Sequence, residues 1–571
     1  SVFLREFSYS LQETASYTGA NAALQGKIAR HDQGLLHAGD ADPVRIYALG
    51  GDLSGLGVFS PKATRVLAGG DIADLSLSIQ HLSSADLSVV SAGGDLRPFD
   101  ENTPRLEEAS KELDRFNQPA DWAYRAQPRS GDIQISGPGM LQVIAGRDID
   151  LGTGDVNSDG TGVGITSIGN ARNPALPFDG ASIIAVAGMS LPSGLGSGDL
   201  RSVDLLKYFA PVDASGRYFS ELIPMLNSQG DSLLAARVEG AGSLGGILRL
   251  GMDDESMARI ALSLFYVVLR DSGRDRNDPA SPDYGTYRNG LAAIDRFLPT
   301  GSGHGDIILN ARDIRTKSGG GIDLVAPRGG ISLANYAISE SLTPPGIVTE
   351  SGGGVNIFSR DDVSLGIGRI FTLRGGDVMI WSDKGDIAAG SSAKTVQSAP
   401  PTRVLIDPQS GAVETDLAGI ATGGGIGVLA TVAGVAPSDV DLIAPTGVID
   451  AGDAGIRSTG NLNLAATRIL NANNISVGGN TTGAPPAPPP PAAPNVSGAT
   501  AASSASAGNN ASAQAVTKLP ADQPKDDSPS VISVEVLGYG GGDSEKDDQP
   551  GSAVESVKKQ ESEQGTKQAA L

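Results

Sequence analysis

No cysteine occurs among the 571 residues. That excludes disulfides, thiolate-held zinc and thiol catalysis. Histidine is nearly as scarce: His31, His37, His81 and His304 are the only four, and none pairs with another at metal-ligand spacing. Aromatic residues make up 4% of the chain, which disfavours a helical enzyme core. Positive charge is also short, with 43 Lys+Arg against 65 Asp+Glu and a net charge of −22. Binding to a nucleic-acid backbone depends on clustered Lys and Arg, so no nucleic-acid partner is expected. No apolar run reaches the roughly 18 residues of a membrane-spanning helix. The start, Ser1-Val2-Phe3-Leu4, shows neither Met nor a charged-then-apolar leader and reads as part of a longer precursor.

Glycine is abundant, at 77 residues, near twice the usual share of about 7%. It sits in a recurring phrase: a Gly-Asp or Gly-Gly turn, then an aliphatic residue, a second and often polar residue, and another aliphatic one. Gly305-Asp306-Ile307-Ile308-Leu309, Gly330-Ile331-Ser332-Leu333, Gly354-Val355-Asn356-Ile357 and Gly376-Asp377-Val378-Met379-Ile380 are four copies. Their first aliphatic residues lie 24, 24 and 23 positions apart. Weaker copies at Ile314, Ile322, Ile338, Ile347, Val363, Ile370 and Ile387 fill the intervals. Three short strands per period of about 24 residues describe a three-sided parallel β-helix, in which each coil buries its apolar face only against its neighbours. Glycine suits left-handed or crowded corners. The aspartate after it is expected to bond local backbone N–H groups, as in Asx turns.

Taken in order, residues 1–43 read as an edge or the continuation of upstream coils. Coils occupy 44–103, where Gly51-Asp52-Leu53, Gly70-Asp71-Ile72 and Gly94-Asp95-Leu96 repeat the phrase. A helical insertion is expected over 104–130, coils over 131–194 and a larger α-helical insertion over 195–300. In the latter, Met257, Ile260, Ala261, Leu264 and Val268 form one apolar face, with Asp253 or Asp254 as cap. Shorter helices are expected at Val203–Phe209, Tyr218–Leu226 and Asn289–Leu298. Coils return over 301–480, broken at 391–420 by a loop holding one strand, Val404-Leu405-Ile406. The segment 481–571 is Pro-rich, then too polar to fold alone; within it only 531–539 alternates like a strand.

The GRDIDLGTGD stretch at 146–155, the Gly-Gly-Asp-aliphatic coils and the tail motif VISVEVLGYGGG at 531–542 resemble the C-terminal part of filamentous haemagglutinin family exoproteins. These are large bacterial surface or secreted proteins of the two-partner secretion type. The resemblance, with the general crossover rule, implies an all-β solenoid: a right-handed parallel β-helix with α-helical insertions and a disordered C-terminal tail. It implies export through an outer-membrane barrel transporter that recognises a region lying outside these residues. It also implies attachment to host cells, matrix or other bacteria at the cell surface or outside the cell.

An enzyme is the alternative, because parallel β-helices also host polysaccharide lyases and hydrolases. Such sites gather several acids on one face, and the residues to consider are Asp361, Asp362, Asp377, Asp383 and Asp386, with Arg360, Arg374 and Lys384. The reading adopted is that these are corner and outward-facing residues. Asp253-Asp254-Glu255 reads as a helix N-terminus rather than a metal site. The calcium nonapeptide is not matched, since Gly-Gly-Asp places its aspartate too early, and the Lys-containing phosphate loop is absent. No catalytic, cofactor-binding or metal-binding residue is assigned, and no cofactor is expected.

Overall fold

Ile183 is succeeded in its stack by Ile322, Val355, Val378, Val440 and Leu462, each aligned with the next in parallel strands. All six are at most 1% exposed. In a second column Ile149, Ile307, Ile331, Val363 and Ile387 stack in the same way. A third runs through Ile165, Ile314, Ile347, Ile370, Ile426 and Ile456. The three columns face inward and meet in a single hydrophobic core. Burying an aliphatic side chain stabilises by about 1.5–3 kcal/mol, so a coil placing several of them inside holds to its neighbours without disulfides.

The computed structural model describes His37 and residues 39–97, 133–152, 164–170, 176–189, 217–298, 303–310, 312–334, 345–391, 403–406, 413–416, 423–430 and 434–484. All of these lie in the compact unit Ser1–Pro488. Three parallel ladders make up the coils. Ladder A holds the longer strands, among them Val44–Ala48, Ser182–Val186, Ile322–Ala326, Val355–Ser359 and Val378–Ser382. Ladder B holds short ones such as Ile149–Asp150, Ile307–Ile308 and Ile331–Ala334. Ladder C is a separate ten-stranded sheet. Strands Val440–Asp450 and Leu462–Leu470 run through from A into B, joining these two ladders into one 19-stranded sheet. A parallel β-helix is therefore the fold, and ten of the eleven aliphatic positions read from the central repeat lie on these inward columns; Ile338 falls outside the described residues.

The equal spacing of the four strongest copies is partly accidental. Ile307 and Ile331 stack on ladder B, while Val355 and Val378 stack on ladder A. Ile331 lies beneath Val363 rather than Val355. Asp323 and Asn356, equivalent across that step, are 33 residues apart, because the coil is lengthened between ladders B and C. Three other lengthened connections, containing residues 98–132, 153–163 and 392–422, leave from the same B-to-C corner. The stretch 104–130, read as helical, lies outside the described residues, as do Val203–Phe209 and the tail strand at 531–539. Within 392–422, Arg403–Ile406 pairs with a second strand, Val413–Asp416, in an antiparallel hairpin. The sequence signalled only the first, because Val413-Glu414-Thr415-Asp416 lacks an apolar run.

The A-to-B corner explains the Gly-Asp phrase. The carboxylates of Asp52, Asp71, Asp95, Asp148 and Asp306 each accept from the backbone N–H at the equivalent position of the next coil, at 2.7–3.1 Å. Asp362 and Asp386 do the same farther along. The bond expected to be local is thus a bond between coils. Glycine precedes the aspartate because of crowding, not backbone handedness: a Cβ on Gly94 would lie 2.0 Å from Oδ1 of Asp71.

The large insertion leaves after ladder A strand Ser182–Val186 and rejoins at Gly305. Among the described residues it contributes five helices: α1 (Phe219–Ser228), α2 (Ser232–Ala241), α3 (Leu244–Arg249), α4 (Asp254–Asn277) and α5 (Arg288–Phe297). Asp253 caps α4, its side chain accepting from Ser256 N–H at 2.8 Å.

Candidate functional site

Two arrangements lie outside the inner core: the aspartate column of the A-to-B corner, and the helical layer. The column stacks like charges at the spacing of β-strands, about 4.8 Å, and cations are threaded into it. The guanidinium of Arg147 donates to Asp95 at 2.7 and 2.9 Å and to Asp71 at 2.9 Å. Arg97 donates to Asp71 at 2.9 Å. Where the chain returns from the insertion, Asp306 N–H lands on the Asp148 carboxylate. His304 then lies with Nδ1 3.1 Å from Asp148 Oδ1 and Nε2 3.3 Å from Asp306 Oδ2. These two carboxylates raise the His304 pKa above its ordinary value, which favours the protonated ring.

Asp148, His304 and Asp306 are the one grouping of metal-type ligands among the described residues, with ligand atoms within 4.8 Å of one another. An imidazole and two carboxylates suit a divalent ion. When protonated, the ring sets positive charge between the two acids, and the arrangement works as a clasp across the insertion. No sequence signal pointed to it, since Asp148 and His304 are 156 residues apart.

The acids considered for polysaccharide chemistry divide between two corners. Asp361, Asp362, Asp383 and Asp386, with Arg360 and Lys384, fall between ladders A and B, whereas Arg374 and Asp377 fall between C and A. Asp362 and Asp386 hold the N–H groups of Asp386 and Val448 at 2.7 Å. Asp377 holds the N–H of Asp439 at 2.8 Å. Asp383 pairs with Arg360 at 2.7 Å; burial pushes its carboxyl up, and the guanidinium opposes that. Each of these four carboxylates is engaged in tying the fold together.

A Ser–His contact does occur elsewhere. His81 Nε2 is 2.7 Å from Ser88 Oγ, and Nδ1 is 2.7 Å from the Pro138 carbonyl. Both residues are 0% exposed. Burial drives the His81 pKa down to about 4, leaving a neutral ring that fastens neighbouring coils and is closed to a substrate.

The helices cover the outer face of ladder A. Outward residues Val186, Val325, Phe358, Trp381 and Ile443 succeed one another up that face and share a second hydrophobic core with the insertion. Phe265 of α4 packs against Phe358 with ring centroids 5.5 Å apart, and Tyr287 against Trp381 at 5.9 Å. The Tyr266 hydroxyl donates to the Leu324 carbonyl at 2.9 Å. The sequence showed one apolar stripe on α4, yet residues 260–273 are buried all round. The helix is enclosed between the sheet on one side and α1 and α5 on others.

The far end of α4 is anchored on late coils. Arg274 donates to the Asp441 carboxylate at 2.7 and 2.9 Å. Asn277 donates to Asn463 Oδ1 at 2.7 Å and to the Leu464 carbonyl at 2.9 Å. Gly273 makes the approach possible, since a Cβ there would lie 2.5 Å from the Ile443 side chain. Large apolar side chains facing outward on the layer include Leu233 on α2 and Leu248 and Leu250 at α3, at 66%, 62% and 44% exposure.

Comparison with known families gives a match over residues 375–486, to a model described as "Filamentous haemagglutinin family outer membrane protein". The matched stretch contains Trp381, Asp441 and Asn463, the coil positions on which α4 and α5 rest. No curated protein and no solved structure matches the chain. No helix among the described residues is long and apolar enough to cross a membrane.

Proposed function

We propose, from the match of residues 375–486 to a model described as a filamentous haemagglutinin family outer membrane protein, that this chain is a structural and adhesive segment of a large bacterial surface or secreted exoprotein. The coils form a stalk, and the helical layer on ladder A is the surface held outward for host cells, matrix or other bacteria. Export proceeds through an outer-membrane two-partner secretion transporter that engages a region beyond these residues. The observation that most supports this reading is the use of the corner carboxylates. Of the acids that could have formed a reactive cluster, Asp362, Asp377, Asp383 and Asp386 are engaged in bonds between coils, which serves length and rigidity.

Deleting the insertion is a poor test, because it would uncover Phe358, Trp381 and Ile443 and create a sticky face. Replacing Leu233, Leu248 and Leu250 together by Ser leaves ladder A covered. Binding of the parent to cells or matrix-coated surfaces is expected to fall in this variant, with the β-sheet circular dichroism unchanged. Retained binding would move the contact to the coils, and failure of the parent to bind any such surface would leave only the stalk role. Incubation with polyuronates or host glycans is expected to yield no new reducing or unsaturated ends; their appearance would favour a polysaccharide-active enzyme.

A further inference from the structure

One titratable group is sealed between the sheet and the helices. Asp323 lies on the outward side of ladder A, in the column Ile184, Asp323, Asn356 and Met379. It is 6% exposed. Its carboxylate accepts from Asn356 Nδ2 at 2.9 Å; the same amide nitrogen lies 3.6 Å from Met225 Sδ of α1. From α4 the facing titratable group is Tyr266, whose phenol is itself driven up by burial and by Asp323. The charged groups of α1 and α4 near this level, Glu221, Arg270 and Asp271, pair among themselves at 2.9–3.0 Å. Among the described residues no cation acts on Asp323: burial raises its pKa to about 7, opposed only by the Asn356 hydrogen bond.

We propose that Asp323 makes the helical layer a pH-responsive cover, held tightly on ladder A while this carboxyl is protonated and loosened when it ionises. The inference is independent of the adhesive reading. With the layer seated, a carboxylate here is buried and meets no cation among the described residues, and an unpaired buried charge is strongly disfavoured. With the layer lifted, the group is hydrated and ionises near its ordinary value of about 3.9. From about pH 4 to pH 7, therefore, the lifted state binds fewer protons than the seated one. Each pH unit favours lifting by about tenfold, some thousand-fold in all, with no further change above about pH 7. What lifting exposes is the apolar strip of Val325, Phe358, Trp381 and Ile443.

Hydrogen exchange of the α1 and α4 amides tests this, corrected for the intrinsic pH dependence of exchange, with the ladder C strand Arg369–Thr372 as reference. The parent is expected to show an opening constant for the helices about 50-fold larger at pH 7 than at pH 5, the slope halving as the seated group reaches its own midpoint. Asp323→Asn should show a change of less than about threefold. Equal pH dependence in parent and variant would overturn the proposal. Should Asp323→Asn not fold, a carbon-13 titration of the parent's Asp323 carboxyl decides: a midpoint near neutrality supports the switch, and one near 4 removes it.

Discussion

The carboxylate of Asp71 accepts a hydrogen bond from the backbone N–H of Asp95, 2.8 Å away and 24 residues later in the chain. Gly94 leaves the space that this carboxylate occupies. The Gly-Asp phrase is thus one device divided between coils, the aspartate of one reaching over the glycine of the next.

It follows that Asp71→Ala and Gly94→Ala disrupt the same bond. Hydrogen bonds to charged groups contribute about 1.5–3 kcal/mol, so each substitution should cost about 2 kcal/mol. The double variant should cost much less than the sum, because a shared interaction is lost only once. Denaturant unfolding of the four proteins in the cycle measures this; strict additivity would separate the glycine from the carboxylate.

The helix glycines make a contrasting pair. Alanine is favoured over glycine in a helix interior by about 1 kcal/mol. At Gly240 of α2 a Cβ meets nothing within 4 Å, and Gly240→Ala should stabilise by roughly that amount. At Gly273 it would press on Ile443 at 2.5 Å, where overpacking costs about 1–3 kcal/mol and outweighs the propensity gain. Thermal unfolding should move in opposite directions for the two variants.

Arg274 compensates Asp441, whose side chain is 1% exposed. Removing one member of a buried pair costs about 3–5 kcal/mol, and the partial exposure of Arg274 places Arg274→Ala toward the lower end, about 3 kcal/mol. Asp441→Asn in addition should restore part of the loss, since no buried charge then lacks a partner. Hydrogen exchange should locate the change in α4 and in strands Val440–Asp450 and Leu462–Leu470.

His304 gives a pH dependence opposite in sign to that of Asp323. Its pKa is raised by the Asp148 hydrogen bond first and then by Asp306. The clasp therefore contributes fully below the ordinary histidine value of about 6.5, and its contribution disappears as pH rises through the higher folded value. An NMR titration should place the His304 midpoint above 6.5, and Asp148→Asn should lower it. The stability effect is small, because the imidazole is largely solvent-exposed.

The inward columns were legible because Ile, Val and Leu recur at the coil period and nothing else on a strand satisfies the core. Coil membership was harder to read. Ile331 and Val355 are spaced like neighbours in a stack yet lie on different ladders, since an insertion lengthens one coil without moving its strands. The clasp of His304 on Asp148 was hidden by the 156 residues between them, and Asp323 reads as an ordinary outward strand residue until α4 is laid over it. Helices α2 and α3 went unread, their glycines masking the helical period. The insertion, read from the sequence only as helical, builds a second core on ladder A.

The absence of cysteine offers the most direct test of a stack that keeps its register through lengthened coils. Ser332 and Ser364 are aligned on the outer side of ladder B, partly exposed and in neighbouring parallel strands, whose separation suits a disulfide. A uniform 24-residue coil would instead place Asn356 over Ser332. Oxidation of the Ser332→Cys, Ser364→Cys protein should give the intramolecular disulfide in high yield, and the Ser332→Cys, Asn356→Cys protein should give none. The reverse result would contradict the three-ladder register.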